Sequence, residues 1–210
     1  MSMEHLLPWD IERESFRIIG EELKERGICF PKEIRSVMYR VIHTTADFEY
    51  ADTMTFTEEA VEKGKQALAG GAHIVTDTNM ARAGINRRAL EALGGELHCF
   101  MAEPDVAEEA RRRQITRASV SMERAAKINA PLIFAIGNAP TALFSLDRLI
   151  RRGFRPALII AVPVGFVNVV SAKEQILLSG VPAIVNRGRK GGSNVAAAIC
   201  NALLYELYQR

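Results

Sequence analysis

Short apolar runs alternate with segments of helical periodicity along most of the chain. The runs that predict strands are residues 72–76, 96–101, 132–137, 157–162 and 183–185. Helical spacing predicts helices over residues 87–93, 106–127, 141–151, 173–178 and 194–208. Repeated alternation of strand and helix is typical of a parallel sheet covered on both faces. The predicted fold class is therefore α/β, a three-layer sandwich around a mainly parallel sheet of about five strands.

The first part of the chain lacks this alternation, and its pattern predicts helices. Asp10 is suited to cap a helix whose apolar residues recur near the helical period, and Gly27 is suited to end it. Pro31 predicts the start of a second helix that runs towards Tyr39 or beyond. The polar residues 43–50 follow no clean period, which predicts a loop or a short strand.

The length of the chain, 210 residues, indicates one large domain, since a domain takes roughly 150 residues. Thr57 is suited to cap the next helix, which is expected to continue through Leu68. We therefore expect a single domain over residues 1–210, in which residues 1–56 form a helical segment packed on the rest.

Charge and apolar content argue against several classes of protein. The 27 basic and 25 acidic residues give a net charge of +2, which is unlike the strongly basic surface of a nucleic-acid binder. The longest apolar stretch, residues 157–164, is far shorter than the ~20 residues that span a bilayer. The three cysteines are far apart and show no CxxC spacing, so we expect no disulfide framework. These features predict a cytoplasmic protein without nucleic-acid or membrane partners.

Small and polar residues are concentrated directly after the predicted strands, where ligands bind in sheets of this kind. Asp77 follows the first run, and Asn138 follows the third. After the last run come Arg189, Gly191, Gly192 and Ser193. This loop is suited to hold an anion, because glycines let the backbone approach a ligand and the following helix offers free N–H groups. It is equally explained as a strand-to-helix turn in which the glycines only permit the backbone angles.

Familiar catalytic motifs do not occur in the chain. The glycine-rich loop matches neither of the common nucleotide-binding patterns, nor the serine-hydrolase elbow. No pair among the four histidines has ligand-like spacing, so the sequence predicts no metal site. His73 and His98 lie at or in predicted strands, which favours structural roles. His43 lies amid hydroxyl and acidic side chains and is suited to exchange a proton near neutral pH, although a structural role is the alternative.

Several short segments, taken together in chain order, resemble one known family. They are residues 11–16, the segment around His43, and residues 77–80, 83–85, 115–117, 135–143, 162–167 and 188–193. The ordered set extends over nearly the whole chain and resembles the precorrin-8X methylmutase family, which includes the cobalt-precorrin-8 methylmutases.

This resemblance implies an isomerase of cobalamin biosynthesis that moves a methyl group from C-11 to C-12 of a contracted tetrapyrrole. It implies a homodimer that holds the macrocycle near the subunit interface, without an organic cofactor. The family's active-site histidine falls on His43, its serine on Ser15 and its arginine on Arg117. His43 is then the expected proton donor. The residues expected to bind substrate are Ser15, Asp77, Arg117, Asn138, Arg189, Gly191, Gly192 and Ser193.

The chain also departs from the family pattern. Ser171 and Ala172 precede Lys173, where an acid and a serine are usual. Two other functions stay open at this point: a non-catalytic carrier of a corrinoid intermediate, and a phosphate- or nucleotide-binding α/β enzyme that uses the same glycine-rich loop. The residues also leave open whether the substrate carries cobalt.

Overall fold

A six-stranded sheet forms the centre of the structure, a computed structural model that describes residues 8–208. Its strands are β1 (Met54–Phe56), β2 (His73–Thr76), β3 (Leu97–His98), β4 (Leu132–Ile136), β5 (Leu158–Ala161) and β6 (Ala183–Asn186). They are arranged in the order β1-β6-β5-β4-β2-β3, with β1 antiparallel to β6 and the other neighbours parallel. The mainly parallel sheet is confirmed. Strand β1 was not predicted, because three partly buried residues carry too little alternation to be recognised.

Helices cover both faces of this sheet. They are α1 (Pro8–Glu25), α2 (Lys32–Thr45), α3 (Tyr50–Thr53), α4 (Ala60–Ala69), α5 (Asn79–Gly84), α6 (Arg87–Ala92), α7 (Pro104–Arg113), α8 (Arg117–Ala125), α9 (Pro140–Arg151), α10 (Val169–Leu177) and α11 (Ser193–Leu207). Along β5, Leu158 and Ile160 join the core beneath α2, α4 and α11, whereas Ile159 and Ala161 join the core beneath α8, α9 and α10. This arrangement confirms the three-layer sandwich.

The N-terminal helices differ from their predicted bounds. Helix α1 already includes Pro8, so Asp10 lies in its first turn and is not the cap. Gly27 follows the helix with φ +73°, a backbone angle that suits glycine at a helix end. Helix α2 extends to Thr45, and α3 begins at Tyr50, so the loop predicted over residues 43–50 is confined to residues 46–49. His43 therefore stands in the last turn of a helix.

Two further predictions about helices are corrected. The single helix expected over residues 106–127 is divided into α7 and α8, because Gln114 is left-handed with φ +53°. Thr116 then caps α8, since its side chain accepts a hydrogen bond from the Ser119 N–H. Thr57 does not cap α4; its hydroxyl accepts a hydrogen bond from the Ala183 N–H at 2.8 Å and continues the pairing of β1 with β6.

Helix α2 brings His43 to the carboxyl edge of the sheet by packing against α11. Near the start of α2, Ser36 hydrogen-bonds Glu206 at the end of α11, and the Arg40 guanidinium lies 5.0 Å from the ring centre of Tyr205. The two helices are thus antiparallel, and the end of α2 lies near the start of α11. In the part of the chain from 8 to 208, no helix is long and apolar enough to cross a membrane.

Candidate active site at the carboxyl edge of the sheet

The buried side chain of Asp77 joins the carboxyl ends of β2 and β4. Its oxygens accept hydrogen bonds from the backbone N–H groups of Gly137, Asn138 and Ala139 at 2.9, 2.8 and 2.6 Å. Burial raises the pKa of this carboxyl group, while the three N–H groups act in the opposite direction. Because Asp77 is fully buried, it shapes the loop after β4 and does not face a ligand. The expectation that it binds substrate directly is corrected accordingly.

The glycine-rich loop after β6 (residues 187–193) packs against the neighbouring loops at backbone distance. A β-carbon on Gly191 would lie 2.0 Å from the Val162 carbonyl oxygen, and one on Gly137 would lie 2.7 Å from the Cα of Ser193. These two positions therefore require glycine. The Gly192 N–H donates to the Val162 carbonyl at 2.9 Å. That amide is engaged within the fold, which corrects the expectation that it binds substrate.

Ser193 links the start of α11 to the start of α5. Its hydroxyl lies 2.7 Å from the hydroxyl of Thr78, which in turn accepts a hydrogen bond from the Ala81 N–H as the cap of α5. Ser193 is almost completely buried. Its hydroxyl thus holds two helix starts together at the carboxyl edge, and only a small part of it faces outward.

Lys173 on α10 fixes the glycine-rich loop from inside the protein. Its ammonium group donates to the carbonyl oxygens of Gly188 and Lys190, at 2.8 Å each. The Asn186 side-chain amide donates to the same Lys190 carbonyl at 2.9 Å. Lys173 is completely buried, and in the described residues 8–208 no carboxylate forms an ion pair with it. Burial therefore lowers the pKa of Lys173 to about 8.

Lys190 connects the glycine-rich loop to the segment that follows α2. Its ammonium group lies 2.6 Å from a carboxylate oxygen of Asp47 and 2.7 Å from one of Glu49. Hydrogen bonding to Lys190 lowers the pKa of Asp47, and the two acids raise the pKa of Lys190. These contacts bring the end of α2, with His43, beside the glycine-rich loop.

His43 is exposed and lines a groove between α1 and α2 together with Ser15, Ile19 and Phe48. The Phe16 ring meets the imidazole edge to face, with ring centres 5.6 Å apart. The structure thus brings together two of the residues singled out in the sequence, His43 and Ser15. The groove has a volume of about 240 Å³. This is below the roughly 300–1,000 Å³ of ordinary small-molecule sites.

Apolar side chains are exposed around the glycine-rich loop. Phe166 and Val167, in the loop after β5, are 80% and 78% exposed, and Met80 at the start of α5 is 72% exposed. The Arg189 guanidinium lies 5.4 Å from the ring centre of Phe166. Exposed apolar groups beside a cationic side chain are suited to the face and the carboxylates of a large flat anion.

Asn138 and Arg117 lie farther along the same edge. The Asn138 side chain is exposed just after β4. Arg117 is the first residue of α8, donates to the Met101 carbonyl at 3.3 Å, and lines a separate groove formed with α7. In the sheet, β6 and β3 are four inter-strand spacings apart, which is a distance of about 19 Å. Within one chain, Arg117 is thus not brought into the His43 groove.

Sequence reasoning gave no role to Lys173 and did not include Phe166 among the expected substrate-binding residues. For Lys173, the available signal is its place on a helix beside Ala172 and near the buried Ile176. This signal is easily missed, because charged residues are rarely fully buried. An apolar pair in a loop, Phe166 and Val167, is the signal for the second. Both roles depend on which loops become neighbours in space.

Comparisons with known proteins show what the chain is similar to. The family model described as precorrin-8X methylmutase matches residues 10–206. The cobalt-precorrin-8 methylmutase of Priestia megaterium is 44% identical over 197 residues, which cover 93% of this chain and 87% of the relative. The precorrin-8X methylmutase of Pseudomonas aeruginosa is 38% identical over 199 residues, which cover 93% of this chain and 94% of the relative. The crystal structure of precorrin-8X methylmutase from Thermus thermophilus superposes with a TM-score of 0.83 at 39% identity, covering 92% and 95%.

The fold is thus that of an α/β protein, and the candidate ligand site lies outside the carboxyl ends of its parallel strands. The matches extend over nearly the full length of the chain and of its relatives. The chain belongs to the precorrin-8X methylmutase family.

Replacing Lys173 with Met should reveal the lowered pKa of this lysine. The pKa of Lys173 is about 8 in the folded protein and 10.5 for an unperturbed lysine side chain, so the unfolded chain binds the proton more tightly between these pH values. Wild-type stability relative to Lys173→Met should therefore rise from pH 8 to pH 10.5, by up to about 3 kcal/mol. Urea unfolding at several pH values measures this difference. In the control Lys63→Met, which replaces an exposed lysine, the difference in stability from the wild type should not change with pH. If the difference for Lys173→Met did not change with pH either, the assignment would be contradicted.

Proposed function

We propose that the chain is an isomerase of cobalamin biosynthesis that moves a methyl group from C-11 to C-12 of precorrin-8X or cobalt-precorrin-8. The observation that carries the proposal is the position of His43. Its helix end is joined to the glycine-rich loop through Lys190, Asp47 and Glu49. The proposed proton donor and the proposed anion-binding loop thus lie side by side, in a chain whose family is named for this reaction.

In this proposal, His43 delivers a proton to the macrocycle at or near a ring nitrogen. Protonation favours the tautomer in which the methyl group can migrate, so that the C-11–methyl bond breaks as the C-12–methyl bond forms. An isomerisation leaves the composition of the substrate unchanged, so the ring must return a proton from another position. A well-placed acid accelerates such a step about 10²- to 10⁴-fold. The edge contact with Phe16 supports a fixed orientation of the imidazole.

The substrate's carboxylates and its flat ring are bound by different groups. Arg189 and Asn138 supply exposed hydrogen-bond donors for the carboxylates, and the Gly191 backbone is a further contact at the surface of the loop. Ser15 faces the same groove as His43. Phe166 offers an apolar surface to the ring. Asp77, Gly192 and Ser193 act indirectly, because their polar groups hold the neighbouring loops in place.

We also propose that the complete site forms between two copies of the chain. The groove beside His43 is too small for a tetrapyrrole with its side chains, and Arg117 lies in another groove. A two-fold dimer that brings the Arg117 edge of one copy to the His43 groove of the other supplies the missing wall. We place this homodimer in the cytoplasm, without organic cofactor or nucleic-acid partner.

Replacing His43 with Ala should abolish turnover while product binding remains. We expect a loss of about 10²- to 10⁴-fold in rate, because the positioned acid is removed and no charged contact to the carboxylates is lost. Metal-free and cobalt-loaded substrates are incubated with the protein, and the absorbance change of the ring is followed. The neighbouring exposed residue provides the control, since Thr44→Ala should retain full activity. Near-normal turnover by His43→Ala would refute the proton-donor role.

Replacing Arg189 with Met should weaken product binding by about 10- to 100-fold, because a charge-assisted hydrogen bond contributes about 1.5–3 kcal/mol. The loss should shrink as salt is raised, because screening weakens the wild-type contact. Titrations at low and high ionic strength measure both effects. Arg87→Met, in which an exposed ion pair with Glu91 is lost, serves as the matched control. Unchanged affinity in Arg189→Met excludes this residue as a carboxylate ligand.

Mixing two impaired variants tests the shared site. In a dimer of His43→Ala with Arg117→Met chains, one of the two sites keeps both native side chains if the residues come from different subunits. Random mixing should then restore about a quarter of wild-type activity at low substrate concentration. If both residues act from one chain, or if the chain sediments as a monomer, the mixture will show no more activity than the two variants measured separately.

A further inference from the structure

A second cluster of chemically competent side chains lies at the outer edge of the sheet. His73 is the first residue of β2. His98 belongs to the edge strand β3, and Glu96 is the residue directly before that strand. The Nδ1 atom of His73 lies 2.9 Å from the Nε2 atom of His98, and that Nε2 lies 3.8 Å from a carboxylate oxygen of Glu96. One ligand atom from each of the three residues fits within 4.8 Å of the others.

The pairing of β2 with β3 places the three side chains on one face. Val75 is paired with His98, and the Ile74 N–H donates to the Glu96 carbonyl at 2.9 Å. Since side chains alternate along a strand, His73 and Val75 share a face, and so do Glu96 and His98. The Phe100 ring stacks on His98, with ring centres 5.8 Å apart, and supports it from the adjoining core.

This cluster is separate from the candidate active site. His73 stands at the amino end of β2, whereas Asp77 and the loops described above follow its carboxyl end. Four residues of extended chain separate the two ends by about 13 Å. Neither histidine contacts the glycine-rich loop or the His43 groove. Nothing in the proposed methyl migration uses these side chains.

We propose that His73, Glu96 and His98 form a binding site for a divalent transition-metal ion such as Zn²⁺. Two imidazole nitrogens and one carboxylate oxygen are a donor set that suits Zn²⁺, with further positions open to water. The metal takes the place of the hydrogen bond between the two rings.

Local electrostatics favour metal binding by His98. Burial and the neighbouring His73 lower the pKa of His98, which favours the neutral ring that a metal ligand requires. Arg82 is the nearby cation and opposes metal binding, while the Glu96 carboxylate acts in the opposite direction. A bound ion would cross-link β3, which has two residues, to β2 and stabilise the edge of the sheet.

Calorimetric titration of the tag-free, chelator-treated chain with Zn²⁺ tests the proposal. We expect one ion per chain. Replacing His73 or His98 with Asn should weaken binding at least 100-fold, because loss of a metal ligand exceeds the roughly 10- to 100-fold effect of an outer partner. Glu96→Gln should weaken it less, and Glu91→Gln, an exposed glutamate on α6, should leave it unchanged.

Thermal unfolding supplies a second measurement that does not depend on heats of binding. At a free Zn²⁺ concentration 100 times the dissociation constant, the wild-type Tm should rise by about 5–10 °C. The two histidine variants should show no such rise, and circular dichroism checks that they are folded. Two results would overturn the proposal, whatever the fate of the methylmutase assignment: no Zn²⁺ binding by the wild type, or binding by His73→Asn and His98→Asn as tight as that of the wild type.

Discussion

The contact between backbone segments at the carboxyl edge of the sheet is the constraint on which the rest of the site depends. The loops after β4, β5 and β6 approach so closely that side chains at Gly137 and Gly191 would collide with neighbouring backbone. This contact leaves carbonyl and N–H groups without their usual helix or strand partners. Buried polar groups without partners are costly, so the fold supplies them with side-chain partners.

Two buried ionisable side chains supply several of these partners. Asp77 accepts hydrogen bonds from three successive N–H groups, and Lys173 donates to two carbonyl oxygens of the glycine-rich loop. Each of these two side chains thus forms hydrogen bonds with several backbone groups, and among the described residues neither forms an ion pair. Because these contacts come from β2 and α10, they fix the loops relative to the rigid parts of the fold. The exposed groups beside them, such as Arg189 and Phe166, are thereby held in a defined position.

The end of α2 is placed by a different kind of contact. Packing of α2 along α11 sets the height of His43 above the sheet, and the ion pairs of Lys190 with Asp47 and Glu49 set its distance from the glycine-rich loop. These ion pairs are partly exposed and contribute little to stability by themselves. Their importance is geometric, because they join the proposed proton donor to the proposed anion-binding loop.

The sequence by itself determined the α/β class and most strand positions, because buried strands and amphipathic helices leave periodic apolar patterns. The motif order also identified His43 and Ser15, which share one groove. Tertiary structure alone decided that Asp77 and Gly192 face inward, that Lys173 supports a loop, and that His73 meets His98 across 25 positions of the chain. It also decided the break between α7 and α8 at Gln114. Local sequence carries the pattern of one element, whereas these roles depend on which elements become neighbours, and that is set by the packing of the whole sheet.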